Sequence, residues 1–256
     1  MWRIEPAVKT LATLLGTVAL TSTALAGPEA LPSGKEMKEV APAPPPECNW
    51  SGFYIGINAG YAWMDTEVSD LDFLNVGPPV QSFSFDPNGP VAGGQVGYNF
   101  QPLRWLVLGV EGDAGYLGVD GRKTQPGSPG GLTFAEINPG TYATARGRIG
   151  VARDCLLLYA TGGWFGSDYE RRVVDNQICS CGFPLGGGRD DDFRSGYTVG
   201  GGLEWMFKPH WTMRVEYLYF NVGDETVNVH IRQTGNFRFG FDDDGNIVRA
   251  GLNYKF

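Results

Sequence analysis

The stretch IVRAGLNYKF, Ile247–Phe256, alternates strictly. Val248, Ala250, Leu252, Tyr254 and Phe256 fall on one face of an extended segment, and Arg249, Gly251, Asn253 and Lys255 fall on the other. Successive side chains of a β-strand point to opposite faces, so this segment has one apolar and one polar side. An aromatic final residue in register with the strand suits a sheet that closes on itself in lipid. Hydrocarbon cannot satisfy an open sheet edge, so the last strand must pair with the first and turn its apolar face outward. The expectation is an all-β chain forming an antiparallel transmembrane β-barrel of outer-membrane type. Leu252, Tyr254 and Phe256 would serve as the barrel-closing signal read by the barrel-assembly machinery.

The other end of the chain agrees. Arg3 and Lys9 lie in a short charged segment, Leu11 to Leu25 is uncharged and mostly small or apolar, and Ala24-Leu25-Ala26 has the small-x-small form of a cleavage site. This pattern predicts an export signal over residues 1–26. Residues 27–49 form a tail containing APAPPPE at Ala41–Glu47, a proline-rich spacer expected to be extended in the periplasm. Residues 50–256 would then be the barrel. They contain no stretch long and apolar enough for a helical span. The 38 glycines and the 7 Trp, 11 Tyr and 15 Phe suit strands that face lipid on one side and a crowded lumen on the other. A formal charge of −8, with no basic stripe, excludes a nucleic-acid partner.

Working back from the last strand, seven more alternating segments emerge: Gly52–Met64, Val91–Phe100, Trp105–Tyr116, Tyr142–Ala152, Leu156–Phe165, Tyr197–Met206 and Trp211–Phe220. The fifth, LLLYATGGWF, alternates poorly and leaves its phase open. Each is long enough to cross a bilayer at a tilt, and eight strands is an even count. The connections sort into long ones (65–90, 117–141, 166–196, 221–246) and short ones (101–104, 153–155, 207–210). Long loops outside and short turns in the periplasm is the asymmetry of outer-membrane barrels. A soluble sandwich or lipocalin-like barrel, with its aromatic face turned inward, is the competing reading.

The segment WSGFYIGINAGYAW at Trp50–Trp63 resembles the small porin-like outer-membrane proteins of alphaproteobacteria, a family of surface antigens called outer membrane immunogenic proteins. GGQVGYNFQ at Gly93–Gln101, LGVEGDAGY at Leu108–Tyr116, VEYLYFNVG at Val215–Gly223 and LNYKF at Leu252–Phe256 are similar to that family as well. The resemblance covers residues 50–256 and thins in the long connections. It implies an eight-stranded barrel with a surface-antigen or envelope-integrity role, with haem binding or weak porin activity in some relatives. It brings no catalytic residue.

The strand phases place Glu111, Asp113, Glu204 and Glu216 in the lumen with Arg146, Arg148, Arg214, Arg249 and Lys255. Buried charges must pair or be hydrated, and eight strands enclose room only for side chains or a small ligand. A plug of ion pairs is therefore expected over a narrow ion-conducting path. Of the cysteines, Cys48 and Cys155 would lie at the periplasmic end and Cys179 and Cys181 in the third long connection. Of the three possible pairings, topology favours Cys48–Cys155, while Cys179 and Cys181 could be bonded, free or linked to a partner. No metal-ligand spacing accompanies them.

Asp242-Asp243-Asp244-Gly245-Asn246 lacks the spacing of a calcium loop and reads as an exposed acidic turn, as does Asp190-Asp191-Asp192. His230 is the one histidine expected outside, and would be the axial ligand if haem bound. GGWFGSD at Gly162–Asp168 lacks the strand-to-helix setting of a nucleophile elbow, so no enzyme is expected, and no cofactor. Phe53, Trp63, Trp105, Trp164, Trp205, Trp211, Tyr217, Tyr219, Tyr254 and Phe256 should supply the interfacial girdles, with Trp105 in the inward phase capping the periplasmic mouth. The reading is a monomeric structural barrel and surface antigen. Its partners would be outer-membrane lipids and a host or surface ligand met through the long connections. The alternative is a small pore or small-ligand receptor.

Overall fold

The computed structural model describes residues 48–72, 81–126, 133–178, 184–231 and 235–256. The expected export signal, nearly all of the spacer, and Cys179 and Cys181 lie outside these residues. Ten strands are found among the described residues: β1 (Gly52–Asp70), β2 (Gln81–Phe85), β3 (Asn88–Leu103), β4 (Leu106–Leu117), β5 (Gly121–Thr124), β6 (Thr133–Arg153), β7 (Leu156–Ile178), β8 (Pro184–Lys208), β9 (Trp211–Ile231) and β10 (Gly235–Lys255). The eight long ones pair antiparallel in the order β1–β3–β4–β6–β7–β8–β9–β10. The cycle is completed where Tyr54 to Asp70 of β1 meet Lys255 to Phe239 of β10. The barrel is closed by the terminal segment from which the reading began.

Alternation decides which face each residue takes. On β1, Phe53, Ile55, Ile57, Tyr61 and Trp63 are exposed on the wall, while Tyr54, Asn58, Ala62 and Met64 are buried in the lumen. Aromatic and β-branched residues favour the extended backbone, and the small inward residues leave room for large ones on the neighbouring strand. Gly97 is one such position: a Cβ there would lie 2.3 Å from the Tyr54 ring. The unphased fifth segment resolves with Leu157, Tyr159, Phe165 and Ser167 inward, and Leu156, Leu158 and Trp164 outward. The short connections tighten to the two-residue turns 104–105, 154–155 and 209–210. Asp154 sits in the left-handed region at φ 54°, which an aspartate tolerates in a turn.

The long connections depart from expectation because they are mostly strand. β7 and β8 run 23 and 25 residues, roughly twice the 9–11 that a tilted strand needs to cross a bilayer. The wall therefore continues well beyond the membrane, and there it divides. β2 pairs only with β1, and β5 only with β6. On the other side β8 and β9 separate between Tyr197↔Asn221 and Gly187↔His230. The divergence begins at a bulge in β9 opposite Asp242–Asp244, where Gly223 adopts φ +73°. A bulge adds local twist and turns a strand away from its neighbour.

The outer portion thus has two four-stranded faces, β2–β1–β10–β9 and β5–β6–β7–β8, which part between β2 and β5 and between β8 and β9 and rejoin where Gly186 and Gly187 pair with Ile231 and His230. Val68, Phe83, Phe239 and Phe241 from the first belong to one apolar core with Ala135, Ile137, Tyr169 and Val173 from the second. Two twisted faces of one sheet packed on such a core form a flattened, sandwich-like layer. The same core continues down into the barrel through Leu117, Phe165, Leu218 and Phe220.

Candidate functional site

The lumen is the candidate site, and it is filled in three layers. The middle layer is ionic. Arg146, Arg148, Arg214 and Arg249 meet Glu111, Asp113, Glu204 and Glu216, all buried. Arg146, on β6, reaches Asp113 at 2.7 Å and Glu216 at 3.0 Å and also binds Glu111. Arg249, on β10, spans Asp113 at 3.0 Å and Glu216 at 2.6 Å. Arg148 holds Glu204 at 2.6 Å, and Arg214 closes on Glu111. Four guanidiniums against four carboxylates leave this layer neutral.

Neutral groups complete the carboxylate shells. Tyr54 donates to Glu111 at 2.5 Å, Tyr159 to Glu216 at 3.0 Å, Thr144 to Asp113 at 2.7 Å and Thr212 to Glu204 at 2.5 Å. Below, Asn253 donates to Glu204 and accepts from Gln95, which in turn accepts from Asn58. The sequence reading did not single out these neutral partners, although Tyr54, Thr144, Thr212 and Asn253 share the inward parity of the charges. Tyr159 was hidden by the unresolved phase of its strand.

Lys255 is a correction. It has the inward parity but lies at the periplasmic rim, half-buried, with its Nζ donating to the carbonyl of Asn49. One residue from the end of the strand there is no lumen left to face. Trp105 is a second correction. It occupies the tight turn and is 54% exposed. The mouth is instead capped by Trp50, 1% exposed, whose cluster includes Val107, Ala152, Leu157 and Met206. Cys48 and Cys155 form a disulfide with Cα atoms 5.1 Å apart, holding the residues before β1 beneath the barrel. The Trp50 amide also donates to Gln101 at 2.9 Å.

The outer layer is the apolar core between the two faces. An ion pair lies within it: Arg171 donates to Asp243 at 3.0 Å through Nε, and Thr66 donates to the same carboxylate at 2.8 Å. Arg171 also stands over the Tyr169 ring at 4.7 Å. Asp243 therefore corrects the reading of Asp242–Asp244 as an exposed turn. The three lie within β10, with Asp242 and Asp244 outward and Asp243 fully buried. Asp191 and Asp192 are exposed, but on β8.

His230 is exposed and its Nδ1 is 2.7 Å from the Asn236 side-chain oxygen. Among the described residues no three His, Cys, Asp or Glu side chains gather to hold a metal ion. Outside, Trp63, Trp164, Trp205, Trp211, Tyr217 and Tyr254 are exposed along the wall, with Trp211 edge-on to Tyr254 at 5.2 Å and Tyr254 edge-on to Phe256 at 5.2 Å.

Beyond the outer aromatic belt, Asp65 and Asp244 face each other across β1 and β10. The carboxyls of Asp65 and Asp244 are pushed up, first by partial burial and then by neighbouring carboxylates: Asp86 for Asp65, and Asp65, Asp242 and Asp243 for Asp244. Asp72 is held down by its hydrogen bond to Arg238, at 2.8 Å.

A closed antiparallel barrel with an apolar, aromatic-rimmed wall and an ion-paired interior is an outer-membrane β-barrel protein. Residues 17–256 match the outer membrane protein beta-barrel domain family, and the chain belongs to it. It is 32% identical to the 31 kDa outer-membrane immunogenic protein of Brucella melitensis biotype 1 over 227 residues, covering 84% of this chain and 87% of that one. It is 31% identical to the 22 kDa outer membrane protein of Rhizobium leguminosarum bv. viciae, over 82% and 80% of the two chains. Among solved structures, outer membrane protein OprG from Pseudomonas aeruginosa superposes with a TM-score of 0.48 at 14% identity, over 80% of this chain and 96% of that one. The chain is an outer-membrane β-barrel protein of this family, and the curated relatives it matches are named as outer-membrane immunogenic or outer membrane proteins.

Proposed function

We propose that this barrel is a sealed, non-conducting element of the envelope, whose work is mechanical and interfacial. The observation that carries the reading is the filling of the lumen in series by Trp50, by the neutral ion-pair network and by the apolar core. An ion entering from either side meets carboxylates and guanidiniums already paired with one another. A water path would have to cross an apolar layer where hydration is unfavourable. Such a barrel anchors the two-faced outer portion rigidly to the membrane and presents it to surroundings, host or surface lipid.

The test is reconstitution into a voltage-clamped planar bilayer. Silent insertion, verified by recovery of heat-modifiable protein, is the expected result. Discrete conductance steps that scale with salt would overturn the reading in favour of a small pore.

A further inference from the structure

The wall carries an apolar groove of about 800 Å³ that begins at the periplasmic rim. Trp211, Tyr254, Ile55, Val96 and Leu252 flank it, and Gly94, Gly112 and Ala114 pave its floor. The lining follows a register row, Trp211–Tyr254–Ile55–Val96–Gly112, across β9, β10, β1, β3 and β4. Four strand spacings amount to about 19 Å, and on tilted strands the row climbs obliquely from the rim towards mid-bilayer. That is close to the roughly 15 Å depth of one leaflet's hydrocarbon.

The lower end of the groove opens beneath a basic rim. Lys208, exposed, stands opposite Trp211 across β8 and β9, and the exposed ring of His210 stacks on Tyr254 at 5.8 Å. His210 Nδ1 donates to the Lys255 carbonyl at 2.8 Å, which directs Nε2 away from that contact. Arg104 lies in another of the tight turns and Arg153 ends β6 just before the third, with Asp154 the one acidic residue among the three turns. The opposite end of the barrel is strongly acidic, so cations are concentrated on the side facing the periplasmic leaflet.

We infer that this groove and its rim form a binding site for an anionic phospholipid of the periplasm-facing leaflet, one acyl chain lying along Gly94, Gly112 and Ala114 and the phosphate at Lys208. Charge selects the occupant: a zwitterionic lipid with the same chains would fill the groove but gain less at the rim. The site is distinct from the lumen and does not depend on whether the barrel conducts.

The experiment is native mass spectrometry of the full outer-membrane form in mild detergent, offered dioleoyl phosphatidylglycerol or dioleoyl phosphatidylcholine. Retention of the anionic lipid should exceed that of the zwitterionic one by about tenfold, the scale of one to two surface cations. Lys208→Gln should reduce that preference several-fold. Gly94→Leu with Gly112→Leu should reduce retention of both lipids, since a Cβ at either position has ordinary clearance (3.6 and 3.7 Å) and the longer side chain fills the groove. Equal retention of the two lipids by the unmodified protein would overturn the inference, as would a preference unchanged in Lys208→Gln. A dimer mass that excludes lipid would assign the groove to a second copy and overturn it too. If the doubly filled variant fails to close into a heat-modifiable barrel, the Lys208→Gln comparison decides alone.

Discussion

Replacing Arg249 by methionine tests the ion-pair network at its most connected point. Arg249 makes four charge-assisted contacts: Nε to Glu216 at 2.8 Å, Nη2 to Glu216 at 2.6 Å, and Nη1 and Nη2 to Asp113 at 3.0 Å each. Without it, three arginines face four carboxylates in the buried layer. Asp113 keeps Arg146 and Thr144, while Glu216 keeps Arg146 and Tyr159 and lies 3.8 Å from Arg214. Removing one partner of a buried pair costs about 3–5 kcal/mol, most of it from the stranded charge. The multiple remaining partners place the expected loss at about 3 kcal/mol, the lower end.

Glu216→Met on its own should cost a similar amount. The double variant restores three against three, so its cost should fall short of the sum by about 1–3 kcal/mol. Urea unfolding in phospholipid vesicles, followed by loss of the compact heat-modifiable band, measures all three. Arg172→Met, at an exposed position, is the control and should stay within about 0.5 kcal/mol of the parent. Strict additivity of the two lumen substitutions, or a single-variant loss no larger than the control, would refute the argument that these groups neutralise one another.

Other predictions follow from the same geometry. Gly97→Ala forces a Cβ to 2.3 Å from the Tyr54 ring and should cost about 1–3 kcal/mol, whereas Gly94→Ala, with 3.6 Å to its nearest atom, should be nearly silent in the same unfolding assay. Cys48→Ser opens a link between residues 107 apart and should lower stability by up to about 4–5 kcal/mol. Reductant should bring the parent protein to the same unfolding midpoint and leave the variant unmoved; a parent insensitive to reductant would count against the bridge as a stabiliser.

Asp244 carries a carboxyl whose folded-state pKa is raised by partial burial and then by Asp65, Asp242 and Asp243. Its ionised form is therefore unfavourable in the folded protein, and the stability it contributes when protonated is lost as pH rises through that raised pKa. Asp244→Asn should be more stable than the parent at pH 7, with the advantage shrinking towards about pH 4. A constant difference across that range would show that charge is not the cause.

Much of the lumen could be read in the sequence because the period of a strand is two. Once Arg249 is placed opposite Val248, or Glu216 opposite Tyr217, no tertiary information is needed to assign its face. The same rule failed where depth mattered. Lys255 has the right parity, but its height along the barrel puts it at the rim, and parity carries no information about height. Trp105 failed differently, because a two-residue turn releases its side chain from the alternation of the strand that follows. Tyr159 could not be assigned because LLLY is apolar on both faces, so neither phase was favoured.

In the sequence the outer portion has the pattern of loops, because its polar residues are plentiful and its apolar ones sparse. Phe239, Phe241 and Val227 alternate with Arg238, Gly240, Asp242 and Thr226, yet the short runs are broken by glycine and acidic clusters. The acidic cluster at Asp242–Asp244 concealed a buried carboxylate whose partner, Arg171, lies 72 residues away in the chain.

Local alternation, and the closure that a membrane imposes on every sheet edge, determined from sequence alone that this protein is a barrel, which segments form its eight long strands and the inward face of the eight charges of the middle layer. Only the tertiary structure decided that the strands continue outward with two faces of the sheet packed together, that Asp243 is buried, and that Trp50 rather than Trp105 caps the periplasmic mouth. The physical reason is that facing is a property of neighbouring residues, whereas height, sheet separation and long-range pairing depend on which distant segments meet.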